Sequence, residues 1–219
     1  MSDLGSDEKV RLFERFGRRF SQNDTIFKEG DEGDTCFLVH EGRVRLVKRI
    51  RSADRSLTVL RPGDLFGEDA LLAKSHRTAS ALALTDVMVL ALDRATFGMM
   101  LAGSPQVATG FVEQLVRRLR DAEEQLENAM LTDHPSRVVN TLLRLASVTD
   151  TSSEGYSLAL SPLELSSRVG LDVETVKRAV IQLRDGGYLK IVEERIIVPD
   201  IEPLRRIYQL LGVKEEVRG

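Results

Sequence analysis

The chain has 219 residues, 42% of them hydrophobic, with 16 Gly, 6 Pro, 31 basic and 34 acidic side chains and a formal charge of −3. That composition excludes collagen-like repeats, low-complexity disorder and disulfide-stapled miniproteins, and the length predicts two compact units with real cores. A single cysteine, Cys36, excludes an internal disulfide and a multi-thiolate cluster and points to a reducing compartment. No apolar run approaches a membrane span, and the N-terminal MSDLGSDEKVRLFERF is polar where an export signal is apolar, so a cytoplasmic protein without membrane contact is expected. The net charge creates no global basic field, so any nucleic-acid contact must come from a local surface.

From Thr25 to Leu92 short apolar runs (TIF, CFLV, VRLV, LTVL, VMVLAL) alternate with Gly and Asp turns such as EGDEGD and RPGD, which predicts many short antiparallel strands in a sandwich or barrel. Near Ser104 the rhythm changes. Phe111, Leu115, Leu119, Ala122, Leu126 and Ala129 recur at three and four residues with charges between them, predicting a long amphipathic helix whose seam suits a partner helix and hence a homodimer. Thr132-Asp133-His134-Pro135 ends that helix, because Pro135 belongs in a first turn and Asp133 can cap the next helix, which runs through Val138, Leu142, Leu145 and Ala146. The polar SVTDTSSEGY reads as a loop. The fold class is therefore α+β, with residues 1–103 forming a β domain, 104–133 a dimerisation helix and hinge, and 134–219 a helical domain.

Within that last domain Ser161-Pro162-Leu163-Glu164 carries a cap, a first-turn proline and a capping-box glutamate. Gly170 allows a tight turn, Asp172 caps a second helix and Gly186-Gly187 stops it, a helix-turn-helix; Tyr188–Val192 and Arg195–Val198 then form a hairpin wing around Glu193-Glu194. In the second helix Val176, Val180 and Leu183 share one face, and Glu174, Lys177, Arg178 and Ile181 share the other. Arg178 can bond the two major-groove acceptors of guanine and Glu174 can accept from a cytosine amino group, while Asp172, Thr175, Arg168 and Lys177 sit where phosphates are commonly met. The ordered sequence of cap, glycine turn, second cap and wing favours this use over a merely solvated charged face.

A second stretch, LFGEDALLAKSHRTASA from Leu65 to Ala81, places Gly67 before a short turn through Glu68, Asp69 and Ala70, with Arg77 and Thr78 following. Backbone N–H groups, a guanidinium and a hydroxyl suit a phosphate, and Glu68 can accept from a ribose hydroxyl. The same residues are also consistent with a plain Glu68–Arg77 ion pair across a turn.

FGEDALLAKSHRTASA resembles the phosphate-binding cassette of cyclic-nucleotide-binding domains, and IFKEGDEGDTCFLVHEGRVRLV with LRPGDLFGE resembles the strands of that β-roll (jelly roll). ELSSRVGLDVETVKRAVIQLRDGGYLKI resembles a winged helix-turn-helix, and together they make the chain similar to the Crp/Fnr superfamily of bacterial transcription regulators. The resemblance implies that Gly67 and Glu68 hold the ribose and that Arg77 and Thr78 hold the cyclic phosphate. It also implies that Glu174 and Arg178 read the half-site of a near-palindromic duplex. Val173 stands where the catabolite activator protein of that family has an arginine, which implies a half-site related to TGTGA but relaxed at one position. Glu193 and Glu194 would meet phosphates unfavourably, so the wing stands off the DNA backbone or relies on Arg195. Ala122 and Glu123 occupy the positions of a Thr-Ser or Thr-Asn pair that contacts adenine in cyclic-AMP-responsive relatives. Glu123 either accepts from a base amino group or is an ordinary exposed residue.

The expected effector is accordingly cyclic AMP, cyclic GMP or none, with no required cofactor, and RNA polymerase is the implied protein partner. The alternatives are a constitutive DNA binder with a vestigial pocket, and a nucleotide-binding module that controls another protein. His40, His76 and His134 show no ligand spacing, the lone Cys36 rules out an oxygen-sensing cluster, and no catalytic constellation is present, so neither a metal site nor an enzyme is expected.

Overall fold

The computed structural model describes residues 14–50, 53–131, 133–147, 149, 151–152, 155–192 and 195–216. The chain divides into two compact units between Arg118 and Leu119, inside the long helix.

The first unit is built on two four-stranded antiparallel sheets. One has the order β1 (Gly17–Phe20), β8 (Val87–Asp93), β3 (Thr35–Glu41), β6 (Leu65–Phe66). The other has the order β2 (Thr25–Phe27), β7 (Ser80–Ala83), β4 (Val44–Ile50), β5 (Ala53–Leu60). Strand alternation sorts the side chains into two cores. Val39, Phe66, Val87 and Val89 of the first sheet meet Val44, Leu60, Ala81 and Ala83 of the second, filling the space between the sheets. The alternate residues Cys36, Leu65, Leu90 and Leu92 face the other way, onto Leu71 of α1 (Glu68–Ala73) and Phe97 of α2 (Arg94–Gly103). Cys36 is fully buried, and burial beside the Glu68 charge pushes its thiol up to about 12. A thiol held protonated in this way is unreactive.

Helix α3 (Pro105–Met130) spans 26 residues, as the repeat predicts. One seam residue departs from the expectation. Phe111 packs edge-on against Phe97 with ring centroids 5.7 Å apart, so it belongs to the first unit's core and not to a seam with a partner helix. The exposed apolar row begins one residue later, at Val112.

The second unit carries α4 (His134–Ser147), α5 (Pro162–Val169), α6 (Val173–Asp185) and α7 (Ile201–Glu216) around a four-stranded antiparallel sheet. Its order is β11 (Lys190–Val192), β12 (Arg195–Val198), β10 (Gly155–Leu158), β9 (Thr151–Ser152). The polar stretch read as a loop thus contributes strands. Ser and Thr are compatible with an edge ladder once β12 offers backbone partners to Tyr156 and Leu158. Asp133 caps α4 by accepting from the Ser136 N–H at 2.7 Å. One core gathers Val138, Leu142, Leu165, Val169, Val176, Val180, Val198 and Leu204 from the helices and β12. Among the described residues no helix is long and apolar enough to cross a membrane.

Candidate functional site

Two constellations stand out, one in each unit. In the first, Gly67 has φ +75° and precedes α1; a Cβ there would stand 2.6 Å from Arg77 Nη1, so only glycine fits both the backbone and the neighbour. Arg77 is 5% exposed. Its Nη1 donates to the Gly67 carbonyl at 2.7 Å and its Nη2 to the Thr35 carbonyl at 2.6 Å. The guanidinium carbon lies 4.3 Å from the Phe27 ring centroid, beside the stacked trio of Phe27, Phe37 and Phe66. Burial lowers its pKa from the ordinary value, while Asp69 and Asp34 oppose the shift, and an arginine so placed stays charged.

Glu68 is 8% exposed and does not pair with Arg77; its Oε1 accepts from Arg118 Nη1 on α3 at 2.6 Å. Arg118 Nη2 also donates to the Leu65 carbonyl. One turn earlier, Gln114 accepts from the Leu65 N–H at 2.9 Å and donates to its carbonyl at 2.7 Å, completing the short strand β6 as a neighbouring strand would. Thr78 Oγ1 donates to the Asp69 carboxylate. Ala70 is fully buried, and a Cβ on Gly33 would come within 2.2 Å of its own. Two buried polar atoms of this group, Glu68 Oε2 and Arg77 Nε, have no hydrogen-bond partner among the described residues. A further cleft of about 600 Å³ beside α1 is lined by residues that include Glu32, Asp34, Lys74, His76 and Arg94.

In the second unit the capping box at the start of α5 is formed: Ser161 accepts from the Glu164 N–H, and Glu164 accepts from the Ser161 N–H at 2.7 Å. Gly170, with φ +73°, ends α5. Asp172 Oδ1 then accepts from the Thr175 N–H at 2.9 Å and Oδ2 from the Thr175 hydroxyl at 2.7 Å, which starts α6. On the outer face of α6 Glu174 bonds Lys177 at 2.9 Å, and Arg178 donates to Thr175 Oγ1 at 3.2 Å. Arg168 of α5 donates from Nη1 to Asp121 of α3 at 2.8 Å, and Gln125 donates to the carbonyl of adjacent Ser167. Val173 is half-buried, and Glu123 is exposed on α3. Glu193 and Glu194 lie outside the described residues.

Residues 17–104 match the cyclic nucleotide-binding domain model, and residues 136–207 match the Crp-like helix-turn-helix domain model. The chain is 31% identical over 192 residues to the CRP-like cAMP-activated global transcriptional regulator of Mycobacterium tuberculosis, covering 85% of each chain. It is 33% identical over 186 residues to the cyclic AMP receptor protein of Thermus thermophilus, covering 84% of this chain and 83% of that one. The chain belongs to the Crp/Fnr family of transcription regulators. Among solved structures, a CooA mutant from Carboxydothermus hydrogenoformans shares the fold at TM-score 0.74 and 22% identity, covering 90% of each chain. A CRP/FNR-family transcriptional regulator from Thermus thermophilus matches at TM-score 0.60 and 27% identity, covering 88% of this chain and 98% of the other.

As a Crp/Fnr protein the chain is a DNA-binding transcription regulator, not an enzyme. The structure brings Gly67, Glu68, Asp69, Ala70, Arg77 and Thr78 together around α1, and it sets Asp172, Glu174, Thr175, Lys177 and Arg178 on the first turns of α6. Arg118, Gln114 and Gly33 were missed from sequence because each meets the cassette from a distant segment. Arg118 is one of the charges set between the apolar positions of the long helix, and charge patterning alone attributes such a residue to solvent.

Proposed function

We propose that this Crp/Fnr regulator works as a homodimer that reads a near-palindromic duplex through Glu174 and Arg178 of its two α6 helices, with a cyclic nucleotide in the cassette shifting its affinity for DNA. The observation that carries the dimer is an apolar row on α3. Val112, Leu115, Leu119 and Leu126 are 57, 41, 61 and 65% exposed at coiled-coil spacing. A second copy of the helix buries that row, and two-fold symmetry then presents two α6 helices to successive major grooves about 34 Å apart.

Two features support the effector. Glu68 Oε2 is a buried acceptor without a donor among the described residues, which a ribose hydroxyl supplies, and the Arg77 guanidinium brings a positive charge to the N-terminus of the turn that starts at Gly67. The cyclic phosphate would lie against Arg77, Thr78 and the N–H groups of Asp69 and Ala70. The relatives' names favour cyclic AMP, and cyclic GMP is the second candidate. RNA polymerase is the proposed protein partner.

The constitutive reading has its own support. Arg77 already makes two carbonyl bonds and a contact with Phe27, and Ala122 lacks the hydroxyl of an adenine contact. A ligand alters DNA affinity only through differential binding to two states. Selection of bound duplex from a random pool, with and without cyclic AMP or cyclic GMP, tests both readings. Enrichment of a palindrome only with nucleotide supports control by ligand, the same enrichment without it supports constitutive binding, and no enrichment defeats the proposal.

A further inference from the structure

Ile181 is 43% exposed on α6, on the face that carries the charged side chains. At about 100° per residue it lies about 20° around the helix from Glu174 and about 60° from Arg178, so the three share one outward sector. The helix does not need Ile181 for its core: Val176, Ala179 and Val180 are buried on the opposite side and Leu183 packs against the same cluster. The neighbouring charges are met locally, Lys177 by Glu174 and Arg178 by Thr175.

We propose that Ile181 is a specificity-determining residue that packs against the C5-methyl group of a thymine in the half-site, about one helical turn beyond the base read by Arg178. This rests on α6 being the reading helix. The chemistry selects the base. Major-groove edges present hydrogen-bond donors and acceptors at every position, and an isoleucine set against those leaves them unpaired. The thymine methyl is the apolar feature of that groove, and burying it against a branched aliphatic side chain removes both from water.

The test uses full-length protein and the duplex enriched by selection, with each thymine of the half-site replaced in turn by deoxyuridine, which lacks only the methyl. Fluorescence anisotropy should find one symmetry-related position at which the replacement weakens wild-type binding by about three- to fivefold per half-site, the effect of one buried methyl group. Ile181→Ser should bind the thymine and deoxyuridine duplexes equally, with an unchanged circular dichroism spectrum and unchanged affinity for scrambled DNA. Insensitivity of the wild type at every thymine, or the same sensitivity in Ile181→Ser, overturns the role of Ile181 while leaving α6 as the reading helix. Equal wild-type affinity for selected and scrambled duplexes overturns both.

Discussion

Arg118 of α3 donates to the Glu68 carboxylate at 2.6 Å and, through its other amino group, to the Leu65 carbonyl, so the helix grips the strand and the turn on either side of Gly67. The Glu68 side chain is 11% exposed and that of Arg118 25%, which places the pair between a surface bridge and a fully buried one. Removing one partner of a buried pair leaves an uncompensated charge.

Arg118→Met should therefore cost about 2–3 kcal/mol, below the range for complete burial because Arg118 keeps some contact with water. Urea unfolding monitored by circular dichroism gives the number. The double variant Arg118→Met/Glu68→Gln should recover part of it, because no buried charge then lacks a partner. A double variant as unstable as the sum of the singles would show that the pair itself is not the cause.

Gly33→Ala forces a Cβ to within 2.2 Å of the Ala70 Cβ and 3.3 Å of the Arg77 guanidinium, so α1 or the loop must shift. The expected loss is about 1–3 kcal/mol from overpacking. Adding Ala70→Gly removes the clashing atom and should restore part of the denaturation midpoint, less the cost of a glycine in a helix. Absence of any rescue would indicate that the strain lies elsewhere.

Asp172 holds the first turn of α6 through both the Thr175 N–H and hydroxyl. Asp172→Ala should destabilise the second unit by about 1 kcal/mol, whereas Asp172→Ser, which retains an acceptor, should stay within a few tenths of wild type. The same pair also separates capping from charge in DNA binding. The serine variant loses an anion near the duplex and should bind at least as tightly as wild type at low salt.

Asp93 caps α2, accepting from the Thr96 N–H at 2.7 Å, and that hydrogen bond lowers its pKa from the usual carboxylate value. A depressed folded-state pKa means that the unfolded chain binds the proton more readily. The stabilisation is present above the unfolded-state pKa and is lost as pH falls through the folded-state value. Asp93→Asn keeps an acceptor but does not titrate, so the difference in stability between wild type and variant should shrink on acidification. Thermal melts from about pH 6 to about pH 3, a range that spans ordinary carboxylate titration, measure it.

The features legible in the sequence are those whose partners lie within a few residues. Ser161 and Glu164 form their capping box, Asp172 reaches Thr175, and the apolar repeat from Leu115 to Leu126 marks a helix, because a helix brings residues three and four apart together whatever surrounds it. The short apolar runs CFLV and VMVLAL between Gly and Asp turns likewise mark the strands β3 and β8. What the sequence could not rank were contacts across long separations. Glu68 could equally have met Arg77 nine residues on, yet it meets Arg118, 50 residues away, once the first sheet has placed β6 under α3. Phe111 follows the helical repeat as well as Leu115 does, and only its position over Phe97 takes it out of the exposed row. Arg168 reads as a cation of the helix-turn-helix, and only the folded chain brings Asp121, 47 residues earlier, to within 2.8 Å of it. Local geometry is written in the spacing of the residues. The choice among several oppositely charged or apolar partners depends on which of them the burial of the cores brings within a few ångströms, and that is a property of the whole packed chain.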